Sequence, residues 1–244
     1  MKHLLLLILT FNFFIFSTNA EIVSEDIEDA YVQKILDSGD TSALQKLINE
    51  GLDVNSRDAQ GDTMLFYLLT HHYADFDMAK TLINAGADVN LPSNNGLTPL
   101  LVATALAGEL QKQKIATEPE NVTHEIKNAK LKEQTEFLMA RSQKLLQLLI
   151  DSGADVNQET PRGTPLMSAA TSELNLPIAE TLLKAGAKVN LPDRFGRTAL
   201  FYAAAFGCDS MTTFLLKAGA DINVLDIDGK SYMDVSAEDI TKNY

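Results

Sequence analysis

Cysteine is almost missing from this chain. Cys208 is the only one in 244 residues, so no disulfide can form within the chain, and stability has to come from apolar burial. With 45% hydrophobic residues, one core-bearing domain is affordable. Positive charge is also scarce: 20 Lys and Arg against 33 Asp and Glu leave a formal net charge of −13. A surface of that sign repels nucleic acid and anionic membranes, and it attracts basic proteins over a long range. Beyond the N-terminus there is no apolar run long enough to span a bilayer. No G-x-S-x-G, Walker-type or dinucleotide-binding phrase occurs. No constellation of acid, base and nucleophile can be named, so the sequence reads as non-enzymatic and without a cofactor.

The N-terminus is the exception in hydropathy. Lys2 and His3 precede a run from Leu4 to Phe16 that is apolar apart from Thr10 and Asn12. Ser17, Thr18, Asn19 and Ala20 follow, with Thr18 and Ala20 where a signal peptidase reads small residues. The run is thirteen residues, short of the ~20 of a spanning helix, so a cleaved secretory signal is expected rather than an anchor. Cleavage before Glu21 would leave no cysteine at the new N-terminus for lipid attachment, and would take the formal charge to −14. The expectation is an exported protein, periplasmic or secreted, with no membrane attachment after cleavage.

The rest of the chain repeats itself. One phrase recurs five times, as KLINEGLDVN (46–55), TLINAGADVN (81–90), LLIDSGADVN (148–157), TLLKAGAKVN (181–190) and FLLKAGADIN (214–223). Gly51, Gly86, Gly153, Gly186 and Gly219 lie at spacings of 35, 67, 33 and 33. A second phrase follows each copy: GDTMLFYLL (61–69), GLTPLLVAT (96–104), GTPLMSAA (163–170), GRTALFYAA (196–204) and a fading GKSYMDV (229–235). The Thr of the second phrase suits a helix N-cap, and a Pro after it suits the first turn. The alanines that follow allow close helix approach. Leucines and isoleucines before each Gly line one face of a second helix, which the Gly ends in a left-handed conformation. Such a unit cannot bury its own apolar face, so it must stack on copies of itself.

The phrases G-x-T-P-L-x-x-A-A and L-L-x-x-G-A-D-V-N resemble the ankyrin repeat over nearly all of Ile27 to Val235. The resemblance implies an all-α solenoid of stacked helix–turn–helix units with projecting hairpin loops. It also implies partner contacts at the hairpin tips and on the concave side of the first helices. The register divides the chain into a signal peptide (1–20), an N-terminal capping repeat (21–60) and repeats at 61–95, 96–162, 163–195 and 196–228. A C-terminal cap (229–244) follows. Within the first cap, helices are expected near Ser24–Leu36 and Thr41–Asn49. The histidine usual after T-P-L is absent, with Phe66, Leu101, Met167 and Phe201 in its place. The loop from Asn157 to Thr164 is one residue short.

The interval of 67 holds about 34 extra residues, at about 107–141, nearly one repeat in length but without its phrases. Thr117-Glu118-Pro119-Glu120 reads as a capping-box start, and neither Gly nor Pro follows before Ile150, so an inserted helical hairpin is expected. Six cations and six acids share Glu109 to Arg141, a mixed surface suited either to a tolerated insertion or to a partner-contacting arm.

Other candidates are weaker. His71, His72, Asp75 and Asp77 lack a metal-ligand spacing. Asp226-Ile227-Asp228-Gly229 would need Val224 and Val235 as calcium ligands, which neither can be. Cys208, after Gly207 at the connection between helices, reads as a partly buried, inert thiol, with a reactive free thiol the alternative, and Asn121-Val122-Thr123 is a glycosylation sequon that decides nothing. By the resemblance, partner-binding tip residues are Ala59, Gln60 and Asp62; Asn94, Asn95 and Leu97; Arg194, Phe195 and Arg197; and Ile227, Asp228 and Lys230. Helix positions are Thr70, His71, Ala105, Leu106, Thr171, Ser172, Ala205 and Phe206. Phe195, Phe206 and Ile227 stand out as apolar where water is expected, beside Arg194 and Arg197. Alternatively, Phe206 packs on Phe195 and Tyr202 within the stack. The function expected is binding of another protein, basic by charge complementarity, as an inhibitor or immunity-type partner. An envelope helper for a periplasmic enzyme, or a secreted factor binding a host protein, are the alternatives.

Overall fold

The computed structural model describes residues 31–71, 75–105 and 139–241. Helix α1 (31–38) buries Val32, Ile35 and Leu36, and α2 (Thr41–Asn49) follows after the Asp40 carboxylate accepts the Ala43 N–H at 3.0 Å. The same alternation continues with α3 (Met64–His71), α4 (Phe76–Asn84), α5 (99–105) and α6 (139–151). After these come α7 (Pro165–Ala169), α8 (Leu176–Lys184), α9 (Ala199–Ala205), α10 (Asp209–Lys217) and α11 (Ala237–Thr241). Threonine caps the first helices of three units: Thr63, Thr98 and Thr164 Oγ1 accept the N–H groups of Phe66, Leu101 and Met167 at 3.2–3.3 Å. Thr198 departs from the pattern, its hydroxyl being buried without a hydrogen bond. Each second helix ends at its glycine. At Gly86, φ is +94°, and the Gly86 and Ala87 N–H groups close onto Ile83 and Leu82 carbonyls. A side chain there would meet nothing within 4 Å, so the backbone conformation alone selects glycine.

Within units, α3 packs on α4, α7 on α8 and α9 on α10; between units, α2 packs on α4, α7 on α9, and α8 on α10. The described residues contain no strand, only isolated bridges at Arg57–Thr63 and Thr160–Gly163. One apolar cluster runs from Val32 to Ile240. The structure is therefore all-α and solenoidal, as the resemblance implied.

The asparagine that closes each D-V-N phrase ties one unit to the next. Asn55 Nδ2 donates to the Gly86 carbonyl at 3.0 Å, and its Oδ1 accepts from the Asp88 N–H at 2.7 Å. Asn90 bonds Gly153 and Asp155 in the same way, Asn157 bonds Gly186 and Lys188, and Asn190 bonds Gly219 and Asp221. The Asn90 rung joins residues more than sixty positions apart, whereas the others join residues about thirty apart. The stack therefore passes directly from the 76–90 unit to the 139–157 unit, with no repeat interposed. The expected inserted hairpin falls almost wholly outside the described residues. Replacing Asn90 with Ala should cost about 1–2 kcal/mol, since two hydrogen bonds at roughly 0.5–1.5 kcal/mol each are lost at the surface. Urea titration of the variant measures it.

Four hairpins share one design. Asp58, Asp193 and Asp226 each accept N–H groups two and four residues on, and Ser93 accepts that of Leu97. The shortened loop instead closes as a two-residue turn, with Thr160 and Gly163 exchanging N–H···O bonds of 3.1 and 2.9 Å. At Gly61 (φ +78°) an added Cβ would fall 1.9 Å from the Asn94 side chain, which itself donates to the Gln60 carbonyl at 2.8 Å. Gly61→Ala should therefore destabilise by about 1–2 kcal/mol through left-handed strain and loss of that tie. A fall in the urea midpoint at unchanged slope is the expected readout.

Candidate protein-binding face

Neighbouring hairpin tips are bonded in two pairs along the tip edge. Gln60 receives Asn94 Nδ2, and the Phe195 carbonyl receives the Ile227 N–H at 2.9 Å. Ala59, Gln60, Asn94, Asn95, Arg194, Ile227 and Asp228 are exposed along it, and Asp62, Leu97, Phe195 and Lys230 are half-buried. Arg194 lies over the Phe195 ring at 4.7 Å, an arrangement that keeps a cation and an apolar face side by side. On the first helices Thr70 is exposed, and Ala105, Thr171, Ser172 and Ala205 are half-buried. Phe206 is 37% exposed and Ile227 69%. The His71 side chain, His72 and Leu106 lie outside the described residues.

Arg197 is a correction. Expected at a partner-facing tip, it is only 3% exposed. Its Nε sits 3.5 Å from Oδ2 of the wholly buried Asp226 carboxylate, and its Nη1 donates to the Asp239 carbonyl at 2.9 Å. The Nε and Oδ2 atoms face each other without hydrogen-bond alignment, so their attraction is Coulombic. Its backbone N–H bonds Asp193 Oδ1, as the equivalent groups of Asp62 and Lys230 bond Asp58 and Asp226. Arg197 thus holds the C-terminal segment onto the last full unit. Sequence reading also passed over exposed Leu216, Ile222, Leu225 and Met233 near the same end. Ile222 stands where Val54, Val89 and Val156 are buried and Val189 is half-buried, and Met233 where Leu65, Leu100 and Leu200 are buried.

A family model for ankyrin repeats, spanning three copies, matches residues 32–115 and 137–226. The chain belongs to the ankyrin-repeat family. Among curated proteins it is 32% identical over 185 residues to neurogenic locus notch homolog protein 1 of Xenopus tropicalis, covering 75% of this chain and 6% of the relative. It is 28% identical over 201 residues to the ankyrin repeat protein nuc-2 of Neurospora crassa, covering 68% of this chain and 19% of that one. A fowlpox virus ankyrin repeat protein is 28% identical over 136 residues, 54% of this chain and 17% of its own length. This chain thus spans under a fifth of the relatives' lengths, and the similarity reports the repeats they share.

Ankyrin repeats bind other proteins through a preformed surface, and the family is in general a non-enzymatic scaffold. Among the described residues no three His, Cys, Asp or Glu side chains group to hold a metal, and no helix is long and apolar enough to cross a membrane. Cys208 is buried in the turn before α10. Burial, with the nearby charges of Glu173 and Asp209, raises its thiol pKa, which disfavours the reactive thiolate. Cys208 is expected to resist a disulfide-forming thiol reagent in the folded protein and to react promptly in urea, which a colorimetric thiol assay distinguishes. Asp239 shifts the other way. Ser236 donates to it from its N–H and hydroxyl, and Lys230 Nζ lies at 3.2 Å, so its carboxyl is held well below the usual range. A depressed folded value means stabilisation that is present above about pH 4 and lost as pH falls. Acid should therefore release α11 before the rest of the stack, as amide exchange over 237–241 would show.

Proposed function

We propose that this ankyrin stack is an exported, non-enzymatic binder that inhibits or shelters one basic protein, docking it on the hairpin edge and first helices of its C-terminal units. The carrying observation is the exposed Ile227, bonded through its N–H to the Phe195 carbonyl beside the stacked Arg194–Phe195 pair, with a further exposed aromatic, Phe206, at the end of α9. Rigidity limits the ordering entropy lost on binding. Apolar anchors beside an Arg are the composition of binding hot spots. The net charge of −13, with exposed Asp53, Asp88, Asp155 and Asp221 along the ladder turns, supports a basic partner. The apolar leader at residues 4–16 supports export to the periplasm or beyond.

The test is capture of partners from periplasmic and culture-fluid extracts on immobilised protein from Glu21 onward, which keeps every described core residue. One dominant basic protein, released as salt rises, is the expected result. Phe206→Ala and Ile227→Ala should each weaken its retention about tenfold, while Tyr31→Ala, at the far end of the stack, should not. Salt-resistant capture of an envelope enzyme, or no retained protein, would overturn the inhibitor reading.

A further inference from the structure

The repeats allow one position to be compared across four units. Tyr202 in α9, Tyr67 in α3, Val102 in α5 and Ser168 in α7 each stand four residues after their unit's threonine. Tyr202 reaches back to its own hairpin, where its hydroxyl donates to Asp193 Oδ2 at 2.8 Å and both side chains are buried. Tyr67 gives its hydroxyl instead to Asp37 of α1 at 3.0 Å, in an exposed setting. Val102 has no side-chain donor, and Ser168 is too short to span what a tyrosine spans.

Asp193 carries that bond into two hairpin tips. Its Oδ1 accepts the Phe195 and Arg197 N–H groups at 2.8 and 2.9 Å, and the Phe195 carbonyl accepts the Ile227 N–H at 2.9 Å. A line of hydrogen bonds thus runs from the buried ring of α9 to the exposed Ile227. The shortened hairpin closes on the same hydroxyl, since a Cβ added at Gly163 would lie 3.4 Å from it. Asp58, which heads the first hairpin, makes the same two turn bonds but is only half-buried. At Asp193 an unpaired carboxylate oxygen would be costly, so the hydroxyl and the carboxylate hold each other in place.

We infer that Tyr202 is the positioning residue of the protein-binding face: through Asp193 it fixes the 193–197 turn, and through the Phe195 carbonyl it fixes Ile227, in the arrangement that the partner meets. The inference rests on docking of that partner at these two tips. It gives a part in recognition to a residue the partner does not touch, because Tyr202 is 2% exposed. Tips ordered in advance lose less entropy on docking, so the hydroxyl contributes to affinity without entering the interface.

Tyr202→Phe keeps the ring and removes only the hydroxyl. Amide exchange followed residue by residue by NMR should accelerate at the Phe195, Arg197 and Ile227 N–H groups at least about tenfold more than in α8 and α10. Tyr67→Phe, the same change at the equivalent position, should leave those three N–H groups within about twofold of the parent. Retention of the protein that the parent chain captures should fall at least about fivefold in Tyr202→Phe and stay unchanged in Tyr67→Phe. Unchanged exchange at the tips, or acceleration that is equal over the helices, would make Tyr202 a support of the stack alone and overturn the inference. Loss of retention in Ile227→Ala but not in Tyr202→Phe would also overturn it and leave the docking face standing. Retention that neither change affects, or empty capture by the parent, would instead overturn the docking face, and the exchange pattern would still decide whether Tyr202 orders the tips.

Discussion

Arg197→Leu is expected to destabilise the C-terminal end of the stack by about 3–5 kcal/mol, the range for removing one partner of a buried ion pair. The leucine fills much of the space, so the loss is not mainly one of packing. The cost arises at Asp226, whose side chain has no exposed surface and whose Oδ2 has Arg197 as its counter-charge at 3.5 Å. Its other oxygen stays bound to the Asp228 and Lys230 N–H groups, which fix the carboxylate in place and prevent it from turning to water. The substitution also cuts the bond from Arg197 Nη1 to the Asp239 carbonyl, which ties α11 to the stack. Asp226→Asn in the same chain should return much of the loss, because a neutral amide keeps the turn bonds through its oxygen and carries no charge to strand. Urea midpoints of the parent, both single variants and the double variant close the cycle. If Arg197→Leu alone costs under about 1 kcal/mol, the pair is weaker than its burial implies.

The sequence made the periodic parts of this molecule readable and hid the parts that depend on a neighbour. Helix α2 lies at Thr41–Asn49 as its flanking Asp40 and Gly51 imply, because cap chemistry is local. The direct junction between the 76–90 and 139–157 units was open from sequence, since an insertion nearly one repeat long could have been a decayed repeat. Only the Asn90 rung resolves it. Arg197 was misplaced for a related reason. Counting outward from the hairpin glycine puts residues 194, 195 and 197 together at a tip. The guanidinium of Arg197, however, reaches Asp226 of the next hairpin and the Asp239 carbonyl, partners that lie beyond its own unit. The exposure of Ile227 was legible from its place at a hairpin tip, whereas Phe206 was open between solvent and packing within the stack. That of Ile222 was not, because it depends on whether another unit follows.

Phe201→Ala should cost about 3–5 kcal/mol, the range for truncating a buried phenylalanine with incomplete collapse around the cavity. Phe201 is among the largest fully buried side chains and stands in α9, which touches α7, α10 and α11. A hole there removes contacts from within its own unit and from the units on both sides, and a linear array transmits such damage to nearest neighbours. Hydrogen exchange should accelerate over 165–217 and over α11, while α2 to α4 keep their protection, so unfolding becomes stepwise from the C-terminal end. Uniform loss of protection along the chain would instead mean that the stack behaves as a single cooperative unit. Phe206→Ala, five residues on, gives the contrast: its ring is partly in water, and its removal should change stability by within about 0.5 kcal/mol. Partner retention should respond in the reverse order when both variants are kept below their unfolding midpoints. Phe206→Ala then loses the contact and Phe201→Ala keeps it, which separates a residue that builds the stack from one that the stack presents.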